Sequence, residues 1–186
     1  RKHFRLPKTA KGKKVFIEFE GVRQAADFYL NGKHIGLHEN GVMAVGFDLT
    51  PFLNFGGENV IALRTDNDWR YKTGSLFQWN DRNFNANYGG VPKNVWLHIT
   101  DKLYQTLPLY SNLQTTGTYI YASDIKVKTR EAVVHAESQV RNEYGKSVHV
   151  DYEVSIYDYD GKRVSTFRGQ PTTMQSGETV VLKASA

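Results

Sequence analysis

The sequence predicts an all-β protein made of two consecutive strand series, each of β-sandwich type. Three observations carry this. Almost every structured segment alternates apolar and polar residues with a period of two, as half-buried strands do. Dipeptides such as Asn31-Gly32 and Asp160-Gly161 sit between these segments, where hairpins need them. No segment before Leu107 holds a 3.6-residue apolar period.

The elements follow in order. Val15, Ile17 and Phe19 alternate with Phe16, Glu18 and Glu20, giving a strand with one buried face. Phe28 and Leu30 run into Asn31-Gly32, with Ile35 beyond; both turn residues must take positive φ, which predicts a hairpin. Met43, Val45, Phe47 and Leu49 form the next strand. Thr50-Pro51-Phe52-Leu53 suits a single helical turn, capped by Thr50 with Pro51 at its first position. Asn59 to Leu63 is a further strand, and Val95, Leu97 and Ile99 the last of this series.

Between Thr65 and Gly90 the alternation stops. Asp66-Asn67-Asp68-Trp69-Arg70-Tyr71 and the run from Gln78 to Tyr88 are polar and aromatic. Structureless loops of this length in compact domains are usually functional or disordered, and the aromatic content argues against disorder. Leu103 to Ala122 reads as a connector. From Ser123 the second series begins with Ile125 and Val127, then Val134 and Ala136. Val148, Val150, Tyr152, Val154 and Ile156 give the cleanest alternation in the chain. Asp160-Gly161 turns into Val164 and Phe167, and Ser176-Gly177 precedes a strand at Thr179 to Lys183. An immunoglobulin-like sandwich needs about seven strands. About five are recognisable here, so the second sandwich, like the first at its N-terminus, is expected to be incomplete and the chain to be a piece of a longer polypeptide.

Composition narrows the function classes. Hydrophobic residues make up 40% and charged residues 23%, as in globular proteins. No apolar run approaches the roughly 20 residues that cross a bilayer, and the N-terminus has no apolar block after its basic residues. The absence of cysteine excludes disulfides, thiolate zinc sites and a cysteine nucleophile. The net charge of +5 comes largely from Arg1, Lys2, Arg5, Lys8, Lys11, Lys13 and Lys14. A nucleic-acid surface would set these on one face with stacking aromatics between them; here they flank Pro7 and Gly12, so they read as a solvated turn between strands. His34 and His38 follow a hairpin turn in strand context and are not read as metal ligands. Asp66 and Asp68 lack the rest of a calcium-loop pattern. There is no Gly-x-Ser-x-Gly elbow and no phosphate-cradling glycine loop. No cofactor or metal is expected, and Asp124, Glu131, Glu137 and Glu143 read as solvated charges.

Several segments together resemble one family. Phe19-Glu20-Gly21-Val22, Phe28-Tyr29-Leu30-Asn31-Gly32, Ile35-Gly36, Phe47-Asp48-Leu49-Thr50-Pro51-Phe52-Leu53, Glu58 to Leu63 and Asn87-Tyr88-Gly89-Gly90-Val91-Pro92-Lys93-Asn94-Val95-Trp96-Leu97 match, in order and spacing, the N-terminal domain of glycoside hydrolase family 2. The family usually carries arginine where Lys93 stands; lysine keeps the charge and lacks the bidentate fork. The resemblance implies a jelly roll of galactose-binding type over residues 1–107, a connector at 108–122 and an immunoglobulin-like β-sandwich over 123–186. It also implies a catalytic (β/α)8 barrel beyond Ala186, whose two glutamates would act as acid/base and nucleophile about 5–5.5 Å apart.

On that resemblance the chain is a non-catalytic N-terminal region of a glycosidase, with no catalytic residue of its own and no activity alone. β-Galactosidase-like relatives are the leading comparison. The long loop would reach the barrel and help line the substrate pocket. Its candidate residues are Trp79, Asn80, Asp81, Arg82, Asn83, Asn85, Asn87 and Tyr88, because amides and carboxylates match sugar hydroxyls and aromatic rings can stack on a sugar face. The partners implied are a carbohydrate substrate and the barrel, with homo-oligomer formation left open and neither nucleic acid nor membrane. Family habit places such enzymes in the periplasm or outside the cell. Two other readings compete: a free-standing carbohydrate-binding module, and a protein-binding pair of sandwiches.

Overall fold

The computed structural model describes residues 1–40, 43–66, 89–108 and 112–186. The described residues are all-β apart from two short 3-10 turns, and the chain divides into two compact units. The first contains Arg1–Asp101 and Tyr110–Leu113; the second contains Lys102–Leu109 and Gln114–Ala186.

The strands of the first unit are β1 (Lys2–Arg5), β2 (Lys14–Phe19), β3 (Ala25–Leu30), β4 (Lys33–Glu39), β5 (Val45–Asp48), β6 (Glu58–Asp66) and β7 (Val95–Thr100). They form two antiparallel sheets, ordered β1-β6-β3-β4 and β5-β2-β7. Val15, Ile17 and Phe19 on β2 face Ala26, Phe28 and Leu30 on β3, and both sets are buried, with Val45, Phe47, Leu49 and Ile61 completing the core. The Phe28 ring lies 5.0 Å from Phe19 and 4.6 Å from Phe47, in the tilted geometry that aromatic pairs prefer. This is a jelly-roll-like sandwich of the kind the alternation predicts.

Local details match or correct the sequence reading. Asn31 and Gly32 take φ of 51° and 78°, as the β3–β4 hairpin requires. The helical turn is a 3-10 turn over Thr50–Phe52 with Pro51 inside it, but its N-cap is Leu49 and Thr50 makes no capping bond. The Thr50 hydroxyl instead accepts the Val15 N–H at 3.0 Å, while Asp48 accepts the Thr50 N–H at 2.9 Å. Asn59 is fully buried and ties together the turn that precedes β6. It accepts from Asn54 N–H at 2.8 Å and from Asn31 at 2.9 Å, and donates to the Asn54 carbonyl at 3.1 Å. A bulge between Phe28 and Tyr29 leaves Ile35 unpaired, so His34 pairs with Tyr29 and His38 with the core residue Ala26. The two imidazoles therefore face opposite sides of the sheet and do not converge.

One strand departs from expectation. Val95, Leu97 and Ile99 alternate as predicted and pair with Phe19, Ile17 and Val15. Yet they remain 44%, 41% and 36% exposed. β7 is the edge of its sheet, and β1 is the edge of the other. An apolar channel of about 600 Å³ opens beside these edges, with Phe4, Ile61, Leu63, Val95 and Leu97 among its lining residues.

The second unit holds β8 (Leu103–Gln105), β9 (Thr118–Lys126), β10 (Glu131–Asn142), β11 (Val148–Val150), β12 (Glu153–Tyr157), β13 (Arg163–Arg168), β14 (Thr172–Met174) and β15 (Thr179–Ser185). The long β10 pairs along one edge with β15, and along the other with β9 and then β8. β11 pairs β14 and β12 pairs β13. The Val148–Ile156 alternation is thus two strands rather than one. The chain changes partners at Asp151-Tyr152, where the Tyr152 carbonyl accepts the Gly169 N–H at 2.9 Å. The Asp160-Gly161 hairpin forms with only Gly161 at positive φ; Asp158 Oδ1 shapes it by accepting from Asp160 and Lys162. Ala136, Val140, Tyr152, Met174, Leu182 and Ala184 make the core. Glu131, Glu137 and Glu143, read as solvated, each accept a hydrogen bond, from Thr129, Lys183 and Tyr104 respectively.

Candidate functional site

Trp79, Asn80, Asp81, Arg82, Asn83, Asn85, Asn87 and Tyr88 lie outside the described residues, so their predicted roles rest on the sequence. What is described is the frame from which that segment departs and to which it returns. β6 ends at Asp66, whose carbonyl accepts the Gln24 N–H at 2.9 Å. Re-entry is at Gly90, which exchanges two backbone hydrogen bonds with Arg23, at 2.9 and 3.0 Å. Consecutive residues of the segment leading into β3 therefore hold both ends. Gly90 has φ of 105°, a conformation that L side chains rarely adopt, which accounts for a glycine there.

Two distinct surfaces flank this base. On the outer face of β4-β3-β6, register aligns Glu39, Ala25 and Asp66 in one row and Leu37, Asp27 and Arg64 in the next-but-one. They line a shallow hollow of about 180 Å³. Asp27 accepts from Arg64 at 2.7 Å through one oxygen and pairs with His34 at 3.0 Å through the other, so both carboxylate oxygens are engaged within this face. On the inner face His38 packs beside the core, its Nε2 buried without a partner among the described residues. Burial pushes its pKa below the ordinary histidine value, while hydrogen bonds with the backbone at Met43 and Asn40 oppose the shift.

The outer face of β5-β2-β7 is different in character. Trp96 Nε1 donates to Glu20 Oε1 at 2.7 Å, and His98 Nε2 meets Glu18 Oε2 at 2.9 Å. The bonds run diagonally between paired strands, two residues out of direct register. The Trp96 bond, ahead of further bonds from Asn94 and the nearby Lys93 charge, lowers the Glu20 pKa. Lys93, the departure from the family pattern, lays its aliphatic stem over Gly21, where an added Cβ would sit 3.4 Å from Lys93 Cδ. Sequence reading placed Trp96 and Glu20 on strands but gave them no role. Their pairing joins distant segments, and only register reveals it.

Among the described residues no group of three or more His, Asp or Glu side chains could hold a metal ion. The described residues contain no (β/α)8 barrel. The arrangement can present hydrogen-bonding and aromatic groups to a ligand; it does not assemble a paired-carboxylate hydrolytic centre.

Comparison with known proteins agrees with this geometry. A family profile described as "Glycosyl hydrolases family 2, sugar binding domain" matches residues 1–101. A protein named β-glucuronidase from Formosa agariphila is 46% identical over 167 residues, covering 89% of this chain and 17% of that protein. β-Galactosidase BoGH2A from Bacteroides ovatus is 29% identical over 97% of this chain and 19% of its own length. The solved structure of a β-glucuronidase from glycoside hydrolase family 2 superposes with a TM-score of 0.88 at 41% identity, covering 99% of this chain and 19% of that one. The chain thus spans about one fifth of the length of the relatives it matches. A profile covering more than half the chain places it: the chain belongs to the sugar-binding domain family of the family 2 glycosyl hydrolases.

Proposed function

We propose that this chain is the non-catalytic N-terminal part of a larger family 2 glycosidase that hydrolyses O-glycosidic bonds. In this reading the first unit is a jelly-roll domain and the second an immunoglobulin-like one, which takes β8 and the start of β9 from the stretch that the sequence reads as a connector. Together they support a catalytic barrel supplied by the rest of the polypeptide. The single observation that carries the reading is the family match over residues 1–101. Between galactoside and glucuronide, the 46% identity to a protein named β-glucuronidase favours the glucuronide. The sequence reading leaned to galactosidase.

The segment between Asp66 and Gly90 shapes the substrate entrance, with Asp81 and the surrounding Trp79, Asn80, Arg82, Asn83, Asn85, Asn87 and Tyr88 as its sugar-facing residues. Support comes from its composition and from the pinned base at Arg23-Gln24, which gives it a fixed footing. Two measurements on the complete enzyme test this. Aryl β-glucuronide should be cleaved at least tenfold more efficiently than aryl β-galactoside; the reverse preference would overturn the substrate assignment, and no cleavage of either would overturn the glycosidase reading. Asp81→Ala should lower kcat/KM at least tenfold with an unchanged melting temperature. Unaltered kinetics would remove the loop from the pocket.

A further inference from the structure

We propose that Asn31, with Gly32 after it, is a deamidation site that the folded first unit holds in check and that opening of the β3–β4 hairpin releases. The inference is independent of the glycosidase reading. Nor does it need any face of this unit to be open, since cover from the rest of the polypeptide only slows the folded-state reaction further.

The chemistry belongs to the dipeptide. The Gly32 amide nitrogen, on losing its proton to solvent base, attacks Asn31 Cγ. The N–Cγ bond forms, the Cγ–Nδ2 bond breaks, and ammonia leaves after taking a proton from water. The cyclic imide then adds one water at either carbonyl and opens to aspartate or isoaspartate. Glycine has no Cβ to hinder the attack, and asparagine is a thermolabile residue. The hairpin nevertheless uses this pair, because its turn needs φ of 51° and 78° at Asn31 and Gly32.

The fold opposes the first step. Both hydrogens of Asn31 Nδ2 are donated, to the Phe52 carbonyl at 2.9 Å and to Asn59 Oδ1 at 2.9 Å. Its Oδ1 accepts the Val60 N–H, also at 2.9 Å. Two of these partners are backbone groups, one acceptor and one donor, so the amide cannot be turned round. Forming the imide turns the amide plane and expels Nδ2, which gives up all three bonds. The product does not fit back. In aspartate an oxygen replaces Nδ2 and faces two acceptors, the Phe52 carbonyl and Asn59 Oδ1. Asn59 cannot rotate to help, because its Oδ1 also accepts the Asn54 N–H at 2.8 Å and its Nδ2 donates to the Asn54 carbonyl at 3.1 Å. Isoaspartate adds a main-chain atom to a two-residue turn whose length sets the register. The reaction therefore marks molecules that have opened and keeps them from closing again.

The test uses the full-length polypeptide that carries this chain. Peptide mass spectrometry follows aspartate and isoaspartate formation at Asn31 over time. Native protein should react at least tenfold more slowly than protein unfolded in urea at the same pH and temperature. Below the unfolding midpoint the native rate should climb with urea, with the same slope as hydrogen exchange of the peptide carrying Val60, whose N–H Asn31 holds. Equal rates in native and unfolded protein overturn the proposal. So does a native rate that ignores urea, or one whose slope differs from that of the Val60 peptide. Asn31→Asp tests the product. Asp-Gly suits the same turn, so any loss reports the hydrogen-bond network rather than the hairpin bend. Exchange of the Val60 peptide should be at least tenfold faster in Asn31→Asp than in wild type, and failure to fold is the same loss at its extreme. Exchange equal to wild type overturns the claim that the modified hairpin cannot close.

Discussion

The first unit fills its centre with large rings, Phe28 in contact with both Phe19 and Phe47, backed by Leu30, Leu49 and Ile61. The second relies on smaller groups, Ala136, Val140, Leu182 and Ala184 around Met174, with Tyr152 at the margin. Facing sheets sit about 10 Å apart, and that gap must be filled at crystal-like density. The first unit does so between two sheets of four and three strands, the second with a sheet built on the long β10 and two short pairs, β11-β14 and β12-β13. Both use the same polar device where the backbone leaves regular pairing. Buried Asn59 ties the turn before β6, and buried Asn142 holds the carbonyls of Lys146, Met174 and Gln175 while accepting the Tyr144 N–H. Hydrophobic filling differs between the units, but the rule that buried backbone groups need partners is met alike.

Mutation should expose that contrast. Phe28→Ala empties the most crowded point of the first core and should cost about 3–5 kcal/mol in chemical denaturation. Met174→Ala should cost less, toward the lower end of the roughly 2–5 kcal/mol typical of such truncations, because a thin core collapses more readily. A Met174 loss exceeding that of Phe28 would reverse the ranking. Asn59→Ala and Asn142→Ala each strand buried backbone partners, at about 1–3 kcal/mol per orphaned group. Similar losses would support a shared device; a neutral Asn142→Ala would end the parallel. Gly36→Ala and Gly169→Ala set a Cβ against the Phe47 ring and the Lys183 carbonyl respectively. Both fall in the range of about 1–3 kcal/mol for overpacking, with Gly169→Ala the costlier because a backbone carbonyl cannot rotate aside.

The smallest expected effect is one of pH. The folded-state pKa of His38 lies below its unfolded value. The unfolded chain therefore binds the proton first on acidification. The contribution of neutral His38 is fully present above about pH 6.5 and is lost as pH falls from there through the folded pKa. Urea midpoints at pH 7.5 and 5.5 should converge partly in His38→Gln relative to wild type. An unchanged pH dependence would show that the imidazole is not insulated by its surroundings.

Much of the first unit could be read from sequence because its signals are local. The alternation of Val15, Ile17 and Phe19 identified a core face. Asn31-Gly32 specified its hairpin through backbone sterics alone. What escaped was non-local. Thr50 looks like a cap, but its hydroxyl is taken by Val15 from another strand. Val95, Leu97 and Ile99 have a core pattern, yet periodicity cannot tell whether anything lies opposite an edge strand. In the second unit, Val148 to Ile156 has an unbroken period of two. The partner switch at Tyr152 is set by β13 and β14, far along the chain. As for the candidate site, only its base is described, and the Arg23–Gly90 bridge joins residues whose adjacency no local motif encodes.

The extra residue in β4 also bears on how this domain tolerates change. Ile35 stands outside the pairing scheme, so the residues on either side keep their partners whether or not it is present. Its side chain packs against the core, so losing it would weaken that contact. Register, however, would be preserved: His38 would still meet Ala26. The strand thus carries slack at one position, where a codon can be lost without turning the remainder of the strand inside out.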